Sequence, residues 1–309
     1  MSDSVKIDFL SKTKLAMVFS LILIVVSLGS LFTQGLKKGI DFTGGTLVEV
    51  GFSEAVELEG LRNLLDAQGM QGAVVQHFGS SKDVLIRLLP DDSLNNAELS
   101  TKILGIISNQ YSQQADLRRV EFVGPQVGEE LTEDGGLAML YAMFGILIYV
   151  TWRFEYRFAI GSVVAVAHDV IITLGVFSVF QFEFDLTVLA ALLAVLGYSL
   201  NDTIVVFDRI RENFRKLRKG SPTDVINISL NQTLSRTIMT SLTTLLVLFA
   251  LFFLGGEIIH DFALALIIGV AIGTYSSIYV ASPITLAMGV SKEDLMIIKA
   301  DDEELDKIP

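Results

Sequence analysis

Leu-Thr-Val-Leu-Ala-Ala-Leu-Leu-Ala-Val-Leu-Gly-Tyr-Ser-Leu-Asn-Asp-Thr-Ile-Val-Val-Phe, residues 186–207, is an apolar run long enough to cross a lipid bilayer, and it carries one carboxylate, Asp202. An ionised Asp at the centre of a membrane helix costs roughly 2.5–3.5 kcal/mol on insertion scales, while each Leu, Ile or Val returns only about 0.3–0.6. A carboxylate in that position demands a reason, and proton handling is the first candidate.

Outward from this run, the chain of 309 residues is 51% hydrophobic with a mean hydropathy of +0.56 and no cysteine, so a membrane class comes first and disulfides are excluded. Runs near the ~20 residues needed to span hydrocarbon occur at 15–32, 135–152, 158–180, 186–207, 237–254 and 262–283. The only long polar segment, 33–134, lies between the first two. The first run exceeds a signal-peptide core and no small-x-small site follows it, so an uncleaved anchor is expected. The net charge of -12 gives no sign of a nucleic-acid partner. No Cys/His cluster has metal-ligand spacing, and no cofactor is expected.

Orientation follows from Lys and Arg in the short loops. Lys6, Lys12 and Lys14 precede the first span, Arg153 and Arg157 join the second to the third, and Arg209, Arg211, Arg215, Lys216, Arg218, Lys219 and Arg236 fall between the fourth and fifth. The loops 181–185 and 255–261 carry none. Both termini are therefore expected in the cytoplasm, with the insertion outside, although Lys37 and Lys38 locally oppose this. The expected division is 1–14 cytoplasmic, 15–33 first span, 34–133 external domain, 134–290 the other five spans with a cytoplasmic loop at 208–236, and 291–309 a cytoplasmic tail.

Within the insertion, Thr46, Val48, Val50 and Phe52 alternate with Leu47, Glu49 and Gly51 as in a strand, and Leu58, Leu61 and Leu65 form a helical stripe. Residues 73–78 and then Val84, Ile86 and Leu88 read as strands separated by a five-residue turn, Gly79-Ser80-Ser81-Lys82-Asp83. Leu99, Ile103, Ile106 and Ile107 mark a second helix, and Val120 and Phe122 a last strand. The order βαββαβ predicts a ferredoxin-like α+β domain, so the whole is a polytopic six-helix membrane protein with that domain between helices one and two. The fold names no function by itself. His77 reads as a surface strand residue and His260 as part of a short outer loop, and no nucleophile-base pair is visible, so an enzyme is the least favoured class.

In the membrane, His168 and Asp169 lie about ten residues into helix three, roughly 15 Å deep. Neighbours on a helix point about 100° apart, so the two are expected not to pair with each other. Either packing hydrogen bonds or a part in proton passage accounts for them; a metal-dependent hydrolase lacks the further His ligands. Helix four gathers Tyr198, Ser199, Asn201, Asp202 and Thr203, with Tyr198 and Asp202 at i, i+4, and Arg236 opens helix five at a comparable depth. Burial raises a carboxylate's affinity for a proton and a nearby Arg lowers it, so relative motion of Arg236 and Asp202 could load or release one. Arg236 alone also fits a topology-setting cation. Gly269, Gly273, Ser277 and Ala281 recur every four residues on helix six, and Ala190, Ala194 and Gly197 add small residues on helix four, patterns that admit a closely packed helix of the same chain or of a partner. Ser221-Pro222-Thr223-Asp224 is a capping box, and Ile226, Leu230 and Leu234 predict a short interfacial helix leading to Arg236.

The ordered motifs Gly39-Ile40-Asp41-Phe42-Thr43-Gly44-Gly45-Thr46, Val120-Glu121-Phe122-Val123-Gly124-Pro125, Ala167-His168-Asp169-Val170, Gly197-Tyr198-Ser199-Leu200-Asn201-Asp202-Thr203, Phe207-Asp208-Arg209-Ile210-Arg211-Glu212-Asn213, Thr233-Leu234-Ser235-Arg236-Thr237 and Ser276-Ser277-Ile278-Tyr279-Val280-Ala281 cover nearly the whole chain. Together they resemble the SecF family, the smaller membrane subunits of the bacterial SecDF protein-export accessory and relatives of the resistance-nodulation-division transporters. The resemblance implies an inner-membrane protein with residues 34–133 in the periplasm. It also implies SecD, the SecYEG channel and YajC as partners, and a role in which protons drive late export of unfolded polypeptides. By the same resemblance Asp202 and Arg236 match proton-path residues, with Asp169 a weaker match; His168, Asn201 and Tyr198, polar residues on the helices of Asp169 and Asp202, complete the expected proton pathway. A proton-driven efflux half-transporter and a non-conducting scaffold are the alternatives. The porter domains of efflux proteins are usually larger and doubled, and an intramembrane Asp argues against a scaffold.

Overall fold

The computed structural model describes residues 7–70, 73–88, 96–110, 115–217 and 220–291. Lys6, Arg218 and Lys219, used above for orientation, and the tail beyond Ser291 lie outside them. In chain order the elements are α1 (Thr13–Thr33), β1 (Lys37–Lys38), α2 (Ile40–Thr43), β2 (Gly45–Phe52), α3 (Leu58–Ala67), β3 (Val74–Phe78), β4 (Ser80–Leu88), α4 (Asn96–Gln110) and β5 (Ala115–Val123). Next come α5 (Pro125–Arg153), α6 (Tyr156–Phe180), β6 (Glu183–Phe184), α7 (Leu186–Lys216), α8 (Pro222–Leu254), α9 (His260–Ser276), a π-helical turn (Ser277–Ala281) and α10 (Ser282–Ala287).

Among the described residues, six helices are long and apolar enough to cross a membrane. Several run past the apolar stretches that mark them in the sequence. α5 starts at Pro125, where Pro suits a first helical position, and α7 continues to Lys216. The expected separate interfacial helix does not exist: α8 is one helix of 33 residues, ~50 Å at 1.5 Å per residue. Its Ser221–Asp224 capping box is formed. No Gly or Pro follows Pro222 before its end. Its Ser/Thr-rich stretch stays helical, with hydroxyls bonded back to carbonyls four residues earlier, as Thr233 is to Ser229 O and Thr240 to Arg236 O. The sixth span is also not uniform. Pro283 supplies no N–H and crowds the carbonyl of the preceding turn, and the π-helical turn sits directly before it.

α1 shows how membrane packing inverts the soluble rule. It buries Ser20, Ser27 and Ser30 and exposes Leu21, Val25 and Phe32. Small polar residues let it approach α6, and the apolar ones lie on the outer face of the bundle. Ser30 Oγ lies 2.7 Å from Ser178 Oγ, and Gly175 leaves room for Ser27, whose Cα would stand 2.7 Å from an added Cβ. α9 touches α6, α7 and α8 at once.

Between α1 and α5 lies a four-stranded antiparallel sheet in the order β3-β4-β2-β5, the ferredoxin-like order, with a core of Val48, Val50, Leu61, Leu65, Ile86 and Ile103 under its two helices. The expected five-residue turn between β3 and β4 shrinks to Gly79, whose φ of +72° only glycine adopts freely. At Gly44 (φ +70°) an added Cβ would stand 2.8 Å from Cα of Pro125, so this glycine lets the strand leave against the first turn of α5.

This module is also held from the side. β1 pairs in parallel with β6, Gly39 N–H donates to Phe184 O at 2.8 Å, and Leu186 N–H donates to Asp41 Oδ2 at 3.0 Å. Arg87 on β4 ion-pairs with Glu183 and donates to Lys38 O at 3.1 Å. Burial pulls the Arg87 guanidinium below its ordinary pKa, opposed by the charges of Asp41 and Asp185. Removing the cation by Arg87→Ala leaves Glu183 half-buried and unpaired. We expect hydrogen exchange at the Gly39 amide to rise about tenfold, the scale of one charge-assisted hydrogen bond; unchanged exchange would show that the pair does not hold the seam.

Candidate functional site

Asp202 is 6% exposed at the centre of the helical bundle. Its Oδ1 accepts from Thr237 Oγ1 at 2.6 Å and its Oδ2 from Ser277 Oγ at 2.5 Å, so α7, α8 and the π-helical turn meet on one carboxyl. Arg236 forms no ion pair with it among the described residues and lies exposed on α8. The reason is helical geometry: Thr237 points inward, and the residue before it is turned about 100° away. The hydroxyl next door holds the position considered for the cation.

Asp169 is fully buried. Ser199 donates to its Oδ2 at 2.5 Å and Ser276 to the same oxygen at 2.7 Å. His168 Nδ1 lies 2.8 Å from Oδ1. That last contact overturns the expectation that His168 and Asp169 do not pair. The 100° rule describes Cβ directions, and the imidazole is long enough to turn Nδ1 back over its neighbour. His168 Nε2 continues to Ser20 Oγ at 3.1 Å, Ser20 lies 3.0 Å from Tyr275 Oη, and Tyr275 donates to Ala16 O at 2.7 Å. A chain of hydrogen bonds thus crosses α1, α6, α7 and α9.

The other sequence candidates are dispersed. Tyr198 donates weakly to Ser241 Oγ at 3.4 Å rather than to Asp202, and Ser241 lies 2.7 Å from Thr274 Oγ1. Asn201 is exposed on the outer face of α7, as are Ala190, Ala194 and Gly197. Gly269 and Gly273 lie against α7 of the same chain: a Cβ on Gly269 would fall 2.1 Å from Val195 Cγ2, and one on Gly273 3.2 Å from Ser199 Cβ. Ala281 packs in the core, and Ser277 combines close packing with donation to Asp202. His260 is the first residue of α9 rather than a loop residue, its ring 4.1 Å from that of Phe252, while His77 is exposed on β3. Thr237, Ser276 and the donor role of Ser277 were missed. For the two serines the available signal is their adjacency in an apolar helix, shortly before Pro283.

The "Protein export membrane protein SecD/SecF, C-terminal" family matches residues 104–291, and the "SecD/SecF GG Motif" family matches 29–56, around Gly44 and Gly45. The protein translocase subunit SecF of Vibrio alginolyticus is 55% identical over 98% of this chain and 97% of its own length. The chain belongs to the SecF family. The SecF of Escherichia coli O157:H7 is 44% identical over 97% of this chain and 93% of its own. The crystal structure of SecDF from Thermus thermophilus, described as a translocon-associated membrane protein, superposes with a TM-score of 0.84 at 40% identity. It covers 93% of this chain, which spans 39% of the SecDF chain. SecF membership makes this a multi-pass membrane protein with a part in Sec-dependent protein export, a transport role.

Proposed function

We propose that this chain, with SecD, couples proton passage through the membrane to late-stage export of unfolded polypeptides from the SecYEG channel. The observation that carries the reading is Asp202, buried among apolar helices and held only by hydroxyls, with no cation paired to it among the described residues. Neutral hydroxyls can serve both the ionised and the protonated carboxyl, whereas a fixed salt bridge would hold the ionised form. Arg236 lies near enough to act on the site electrostatically and supplies the movable charge. Each proton crossing the full field yields about 2.3 kcal/mol per 100 mV, enough for a conformational step with one or two protons.

In this reading SecD contributes the other half of a transmembrane unit, in line with the 39% of the SecDF chain that this one spans. The protein sits in the bacterial inner membrane with both termini cytoplasmic, residues 34–133 are periplasmic and brace the emerging polypeptide, and YajC is an accessory partner. Depleting the protein should make secretory precursors accumulate, and collapsing the proton gradient should reproduce that defect. Drug sensitivity without a secretion defect would overturn the proposal in favour of efflux.

A further inference from the structure

Two consecutive residues at the junction of α9 and the π-helical turn serve the buried carboxylates of Asp169 and Asp202. Ser276 Oγ is 2.7 Å from Asp169 Oδ2 and 3.1 Å from Gly273 O; Ser277 Oγ is 2.5 Å from Asp202 Oδ2 and 3.1 Å from Thr274 O. Each hydroxyl therefore has one proton and two acceptors, a carboxylate and the carbonyl three residues back. Thr237 and Ser199, which also donate to these carboxylates, have no second acceptor among the described residues. Successive helical residues point about 100° apart, which lets one wedged helix address α6 with the first serine and α7 with the second.

We infer that Ser276 and Ser277 are hydroxyl rotors that make Oδ2 the protonation point of Asp169 and Asp202. When Asp202 is ionised, the Ser277 proton points at Oδ2. When a proton arrives, an O–H bond forms on Oδ2 and donates to Ser277 Oγ, and the serine proton swings to Thr274 O. One hydrogen bond is exchanged for another, both oxygens of the carboxyl stay satisfied, and no heavy atom moves. Ser276 does the same between Asp169 and Gly273 O. Serine suits the task because its hydroxyl donates and accepts. The π-helical turn fixes the geometry: Ser282 Oγ caps Ser277 O at 2.9 Å, just ahead of Pro283. The other titratable groups facing this region are His168 on α6, Tyr198 on α7, Arg236 on α8 and Tyr275 on α9. Ser276 and Ser277 are positioning residues, and the inference rests on proton passage at Asp202 as proposed above.

The test is infrared difference spectroscopy across pH on the full chain with SecD in proteoliposomes. Asp202→Asn identifies the C=O stretch of protonated Asp202 by deleting it. Ser277→Ala should shift that band to higher frequency, because the carboxyl O–H loses its acceptor, and should lower gradient-driven export about tenfold, the scale of one hydrogen bond. Ser277→Thr, which restores the hydroxyl, should return the band and keep export within about twofold. Ser276→Ala should leave the Asp202 band in place. Where alanine impairs folding, the nearly isosteric Ser277→Cys, a weak donor and acceptor, should give the same shift. A band deleted by Asp202→Asn but unmoved by Ser277→Ala and Ser277→Cys overturns the rotor assignment alone. Absence of any such band in the unmodified protein overturns proton uptake at Asp202 and the rotors with it.

Discussion

Asp202→Asn should abolish gradient-driven export, lowering it ~100-fold or more, the scale on which a positioned proton-transfer group contributes, while the protein still inserts and assembles. The substitution is close to isosteric, so the junction of α7, α8 and the π-helical turn stays packed. The Asn carbonyl accepts from Thr237 or Ser277, and its NH2 donates to the remaining hydroxyl, which accepts as readily as it donates. Only the ability to gain and lose a proton disappears. Precursor release from inverted vesicles, with and without an imposed gradient, measures the loss, and unchanged thermal melting and SecD co-purification establish assembly. Full gradient-driven release in the Asn variant would end the proposal that Asp202 carries protons.

The second large effect lies in packing. At Gly175 an added Cβ would stand 2.0 Å from Ser27 Oγ and 2.7 Å from Ser27 Cα, so even Gly175→Ala forces the α1 backbone away from α6. Overpacking of this kind typically costs about 1–3 kcal/mol, and a larger residue such as Leu should displace α1 altogether. Because Ser20 on α1 is the partner of His168 Nε2, the displacement also cuts the hydrogen-bond chain that ends at Asp169. The chain has no cysteine, so thiols placed by Ser30→Cys and Ser178→Cys, where the hydroxyls now lie 2.7 Å apart, report the contact directly. Oxidative cross-linking should be efficient in that background and collapse when Gly175→Leu is added. Undiminished cross-linking would mean that α1 accommodates the side chain without moving.

The six spans and the βαββαβ order were legible because each rests on a periodicity that burial enforces: apolar runs of bilayer length, and alternation of two or 3.6. Helix ends were not. Outside the apolar run the hydropathy signal stops while hydrogen bonding continues, as in α7 beyond Phe207 and in α8 before Thr237. Asp202 stood out from composition alone, since one carboxylate among aliphatic residues is costly wherever the helix lies. Its partners did not, because a hydroxyl in a membrane helix more often bonds its own backbone, as Thr243 does to Met239 O. Which serine does otherwise depends on tertiary contact and on a π-helical turn that leaves only a proline as its trace. The His168–Asp169 contact escaped because helical wheels position Cβ atoms and ignore the reach of a ring.

The seam between β1 and β6 has a mechanical consequence. Residues 183 and 184 stand immediately ahead of α7, the 31-residue helix that carries Asp202, and they are bonded to the strand that enters the sheet module. A stiff rod that long, ~46 Å at 1.5 Å per residue, cannot slide or tilt at its buried midpoint without tugging its outer tip. Through Arg87 and Gly39 that tug reaches the sheet laterally, bypassing the two covalent tethers at α1 and α5. The module is therefore tied by a third, non-covalent link to the same helix that holds the carboxyl group.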